Sequence, residues 1–82
     1  MKYGHTIRIN YLLASEGVTQ IFIYDILGRR IAILVNNYHL SGLHNVSWNP
    51  VVLSSGIFLC RFVIKNADNR VFEHTMKINM TR

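Results

Sequence analysis

The side chains of this chain that could do covalent, acid-base or metal chemistry are few: Cys60, the histidines His5, His39, His44 and His74, and the acids Glu16, Asp25, Asp68 and Glu73. A cysteine nucleophile needs an exposed thiol beside an activating base. Cys60 stands in Phe58-x-Cys60-x-Phe62, a period-two pattern that places it among aromatic side chains, so it reads as a buried structural residue. The histidines fall on separate elements with no paired spacing, and a metal site would have to be assembled wholly by the fold. His44 and His74 take inward positions and are expected at the edge of a core, each with a hydrogen-bonded ring nitrogen. Asp25 and Asp68 sit in turn sequences and Glu16 in a loop, where carboxylates serve backbone N–H groups; only Glu73 lies on a strand. Ser54-Ser55-Gly56 lacks the Gly-x-Ser-x-Gly surroundings of a hydrolase nucleophile, and no glycine-rich phosphate loop is present. The expectation is a protein with no catalytic residues, cofactor or metal, acting by binding or by being recognised.

Positioning is done by strands. β-branched and aromatic residues alternate with polar ones between clusters of Gly, Asn, Asp and Ser, and no segment has a convincing helical period. Residues 6 to 13 place Ile7, Ile9, Tyr11 and Leu13 on one face and Arg8, Asn10 and Leu12 on the other. Residues 18 to 24 align Thr19, Ile21 and Ile23 against Gln20, Phe22 and Tyr24. Asp25 to Gly28 reads as a turn, Ile31 to Val35 as the next strand and Asn36-Asn37 as a tight turn. After a bend at Ser41-Gly42, residues 43 to 48 set His44, Val46 and Trp48 on one face, until Asn49-Pro50 stops the strand. Residues 57 to 64 group Phe58, Cys60, Phe62 and Ile64, and the last strand alternates Phe72, His74, Met76, Ile78 and Met80 with Val71, Glu73, Thr75, Lys77 and Asn79.

Short strands at regular spacing, each with one apolar face, predict an all-β fold: an immunoglobulin-like antiparallel β-sandwich of about seven strands, with Trp48 at the centre of its core. Eighty-two residues suit one domain over residues 1–82, its first strand starting near residue 6, because a chain of this size supports a single core.

Composition narrows the partners. Half of the residues are hydrophobic and 16% are charged, against a usual charged share of about 25%. Apolar side chains therefore outnumber interior positions, and some must face outward. Nine Lys and Arg against four Asp and Glu give a net charge of +5. The basic residues are scattered, with no run longer than Arg29-Arg30, which argues against nucleic acid as a partner. No apolar stretch approaches the roughly 18 residues of a membrane span. Met1-Lys2 leads into polar Gly4-His5-Thr6, so no signal-peptide pattern opens the chain.

An ordered series of motifs adds a resemblance. Ile23-Tyr24-Asp25-Ile26-Leu27-Gly28-Arg29, then Asn36-Asn37, Ser41-Gly42, His44-x-Val46-x-Trp48 and Leu53-x-Ser55-Gly56-Ile57-Phe58, resembles the type A C-terminal sorting domain (Por secretion tail) of the type IX secretion system. That family is similar to the immunoglobulin-like domain of flagellar hook-capping proteins, and the likeness spans roughly residues 6 to 80. It departs at the start, where Gly4-His5 replaces the family's Asn-Pro-x-x-Pro type segment, and at Asn37, where glycine is common. The resemblance implies that Tyr24, Asp25, Leu27, Gly28, His44, Val46, Trp48, Ser55 and Gly56 define the fold. Asp25 and Gly28 would hold an inter-sheet turn, Trp48 would fill the core, and Ser55-Gly56 would bend the chain into the next strand.

In such a domain the sandwich itself is the export signal, read by outer-membrane secretion machinery or a sortase-like peptidase. The implied location is secreted or on the cell surface. The alternative is a structural or assembly module, hook-cap-like or packing with copies of itself. Outward Leu12, Phe22 and Tyr24, with Lys77 and Arg82 on and after the final strand, are the candidate interaction surface. A carbohydrate-binding sandwich has only a loop aromatic such as Tyr38 in its support.

Overall fold

The computed structural model describes residues 6–49 and 56–80. They form an all-β sandwich of two antiparallel sheets: β1 (Ile7–Leu13), β2 (Gly17–Asp25), β3 (Arg30–His39), β4 (Gly42–Trp48), β5 (Gly56–Asn66) and β6 (Val71–Met80). The larger sheet has the order β3-β2-β5-β6, and β1 pairs with β4 to make the smaller one. Six strands are present among the described residues where about seven were expected. Ser55 and Arg82 lie outside the described residues, as do His5 and Pro50.

The core follows from the alternation on the two central strands. Ile21 faces Phe62 and Ile23 faces Cys60 across the β2–β5 ladder, and Ile21, Ile23, Thr19 and Cys60 are all fully buried. Ile9, Val35 and Phe58 close over them. Burying each such aliphatic or aromatic side chain contributes about 1.5–3 kcal/mol. Thr19 satisfies its hydroxyl locally, donating to the Gly17 carbonyl at 3.5 Å. Gly17 is needed where β2 begins, because a Cβ there would stand 2.8 Å from the Asn66 Cα of β5.

Several expectations are corrected. Asn36 and Asn37 are not a turn: β3 runs through them, paired with Gln20 and Thr19 of the long β2, and Gln20 Nε2 donates to Asn36 Oδ1 at 3.1 Å. A long neighbouring strand offers ladder partners that outweigh the turn preference of asparagine. Trp48 is only half-buried, at the end of β4, its ring edge-on to Phe58 at 5.9 Å. The centre of the core belongs instead to the middle of β2 and β5, the two strands with neighbours on both sides. The Asp25–Gly28 turn does not cross between sheets; it is the hairpin joining β2 to β3 within the larger one.

His74 is exposed rather than at the edge of a core. It lies with Phe72 on the inward-facing side of β6, yet Phe72 is 53% exposed. A two-stranded sheet cannot cover a four-stranded one. β4 approaches β3, so the cover lies toward that side; the inner face of β6 stays open at Phe72 and His74, while Met76 and Ile78 pack against the core.

Candidate recognition surface

The first motif of the series that carries the resemblance folds into a locked turn. The Asp25 carboxylate accepts hydrogen bonds from the backbone N–H of Leu27 at 3.0 Å and of Arg29 at 2.9 Å, while the Arg29 Nε donates to its other oxygen at 2.7 Å. The backbone closes the same loop: Gly28 N–H donates to the Asp25 carbonyl, and Asp25 N–H to that of Arg29. Gly28 takes φ +85°, a left-handed conformation that glycine adopts without steric cost. The backbone N–H of Arg29, more than its guanidinium, holds the Asp25 carboxyl below its usual range. This rigid turn leaves Ile26 and Leu27 70% and 74% exposed. Leu27, expected as a residue of the fold, instead faces solvent.

The β5–β6 connection repeats the device with different residues. Asn66 Oδ1 accepts from the N–H groups of Asp68 and Arg70, both at 3.0 Å, and Asn69 takes φ +62° where the first turn has glycine. Asp68, expected to serve the backbone through its carboxylate, contributes only its N–H. Asparagine and aspartate share the acceptor geometry of such turns, which is why either can hold one.

The predicted surface residues do not form one patch. Phe22, Tyr24 and Lys77 share the outer face of the larger sheet, with Tyr24, Leu59 and Lys77 in one cross-strand row. Leu12 lies on the outer face of the smaller sheet, on the opposite side of the molecule. Phe22 points outward as expected but is only 9% exposed. Its ring meets Tyr24 edge-on at 6.3 Å and carries the Arg30 guanidinium 5.2 Å from its centroid. Arg61 on the same face bonds Glu73 at 2.8 Å. Around Phe22 this face is therefore a self-covered polar and aromatic layer, and Phe22 is not free for a partner, whereas Val18, Ile33, Ile57 and Val71 on the same face are 41–53% exposed.

The most exposed apolar strand residues lie elsewhere. Leu12 and Leu43 face each other across the β1–β4 ladder and are 71% and 81% exposed. Neighbouring Leu40 is also exposed. Sequence reading missed Leu43 and Leu40; the outward parity of residue 43 against His44 was the signal that could have found Leu43.

His44, Val46 and Trp48 do share the inner face of β4 as expected, all half-buried. His44 stacks on His39 with ring centres 4.5 Å apart and contacts the Leu40 carbonyl through Nε2 at 2.7 Å. Tyr11 stacks against both imidazoles, and its hydroxyl meets His39 Nδ1 at 3.1 Å. Burial raises the Tyr11 phenol above its usual value. Tyr38 lies within β3 rather than in a loop, its hydroxyl donating to Glu16.

Cys60 is fully buried as expected, and burial pushes its thiol up to about 11, away from the reactive thiolate. Among the described residues no three His, Cys, Asp or Glu side chains are grouped to hold a metal ion, and no helix is long and apolar enough to cross a membrane.

Comparison with protein-family models, with curated proteins and with solved structures finds no match to this chain.

Proposed function

We propose that this chain is a non-catalytic recognition domain of the C-terminal sorting kind, directing a larger protein to the cell surface or exterior. The supporting observation is the Tyr24–Arg29 segment, the first motif of the ordered series that carries the resemblance. Its aspartate and glycine lock a turn that holds two large apolar side chains, Ile26 and Leu27, out in solvent. Rigid, exposed apolar side chains suit recognition, because a preordered anchor loses little conformational freedom on binding. On this reading outer-membrane secretion machinery, or a sortase-like peptidase, contacts the turn while the sandwich acts as its frame.

The test is a reporter carrying residues 1–82 at its C-terminus in a bacterium with a type IX system. Export is expected, and is expected to fall at least roughly tenfold when Ile26→Ser and Leu27→Ser are combined, with the melting temperature unchanged. Retention of the reporter inside the cell, beside export by an established sorting domain, would defeat the proposal.

A second reading, a self-assembling module, is favoured by the facing Leu12 and Leu43 pair. Sedimentation across a concentration series separates the two: a monomer at all concentrations, unchanged in Leu43→Lys, counts against assembly.

A further inference from the structure

We infer that the open side of the smaller sheet takes one more strand, an extended apolar-alternating segment with acidic outward residues contributed by another polypeptide, which completes the sandwich over β6. The inference goes beyond the sorting proposal and does not depend on it.

Among the described residues β1 is hydrogen-bonded on one side only, to β4, over its whole length from Ile7 to Leu13. In an antiparallel pair alternate residues direct their N–H and C=O away from the partner, so the other edge of β1 presents a row of backbone groups with no partner among the described residues. That edge looks toward β6. A cleft of about 260 Å³ joins Ile9 and Leu12 of β1 to Phe62, His74 and Met76 of the larger sheet. A second hollow, about 220 Å³, continues it past Leu13 to Ile64 and Phe72. The cleft touches both inward Ile9 and outward Leu12, and so runs along the strand's edge and not over one of its faces.

That backbone row determines the conformation of the occupant, since only an extended chain answers it. Seven ladder positions correspond to a segment of about seven residues. Its inward side chains would meet Phe72, Met76 and Ile64 and must be apolar; its outward ones lie beside Arg8 and Asn10. Charge favours acidic residues there. No carboxylate lines either hollow, and Asp25 and Glu73 are already engaged by Arg29 and Arg61 within the fold. A net charge of +5 opposes a second copy of this chain and favours an acidic partner.

The other sheet edges are less suited. β3 meets β2 with two register shifts, which twist an edge away from regular pairing. β6 carries Glu73 and Lys77 and has no hollow beside its outer edge among those described above. β1 has one charged residue, Arg8, and an unbroken register.

The probe is a synthetic peptide of about nine residues in which valine alternates with glutamate and threonine, tested on the full chain by amide hydrogen exchange. The expected result is that alternate β1 amides slow by roughly tenfold or more at saturation. A peptide of the same composition with its valines clustered, and one interrupted by proline, are expected to leave them unchanged. Phe72→Lys, at a position already half in solvent, is expected to weaken binding roughly tenfold while the thermal melt is preserved. Adding salt is expected to weaken it further. The proposal is overturned if millimolar alternating peptide leaves β1 unprotected or if the clustered peptide protects equally. It is also overturned if β1 is already protected without peptide in proportion to protein concentration, which would assign the edge to a second copy.

Discussion

Asp25 and Asn66 perform the same structural task at opposite ends of the central β2–β5 pair. Each ends a strand, and each accepts two backbone N–H bonds, from the residues two and four positions on, through one side-chain oxygen. Each also exchanges backbone hydrogen bonds across its five-residue loop, with Arg29 or Arg70 at the far side. The difference is charge: Asp25 adds an ion pair to Arg29.

Asn66 therefore predicts how Asp25 can be replaced. Asp25→Asn keeps an oxygen for both backbone donors and loses only an exposed ion pair, a kind of contact that contributes little. Asp25→Ala removes the acceptor altogether. Urea titrations are expected to show the alanine variant clearly less stable than wild type and the asparagine variant close to it.

The charge difference also predicts a pH dependence. Hydrogen bonds from Arg29 hold the folded Asp25 carboxyl below its unfolded value. Its contribution is therefore fully present above the unfolded value of about 3.9 and is lost as pH falls through the lowered folded value. Melting temperatures of wild type and Asp25→Asn are expected to converge as pH drops from about 6 to about 2. A gap that widens on acidification would contradict this.

Gly28 at φ +85° and Asn69 at φ +62° occupy the matching left-handed position of the two turns. Gly28→Asn is expected to cost under about 1 kcal/mol, since asparagine tolerates that conformation. Gly28→Val is expected to cost about 2 kcal/mol, because a β-branched side chain there is strained even in open space. Asn69→Gly is expected to be nearly neutral. Chemical denaturation of the three variants checks the order.

Cys60 couples burial to alkaline stability. Its thiol ionises near 9 in an unfolded chain and only near about 11 in the fold. The contribution is whole below the unfolded value and is lost as pH rises through the window between the two. Thiol-specific labelling at pH 8 is expected to proceed only through opening of the sandwich and to accelerate in mild urea. Cys60→Ser is expected to cost about 1–3 kcal/mol by placing a hydroxyl in an apolar site.

What the amino-acid order determined by itself is local. Period-two alternation assigned Ile21, Ile23, Cys60 and Phe58 to the interior and placed His44, Val46 and Trp48 on one face, because neighbouring side chains on a strand point to opposite sides whatever the strand packs against. Asp25 and Gly28 marked their turn because the hydrogen bonds and the positive φ are contained within five residues. The tertiary structure alone decided which inward faces are covered. Phe72 and His74 alternate as faithfully as Phe58 and Cys60, yet stay open, since cover depends on where a two-stranded sheet rests on a four-stranded one. Phe22 is the converse: outward by parity, but closed over by Tyr24, two residues on along the same strand face, and by Arg30, which only the β2–β3 hairpin brings across. Asn36 and Asn37 were drawn from turn to strand by pairing with β2. Parity says which way a side chain points, whereas exposure depends on what long-range pairing places in front of it.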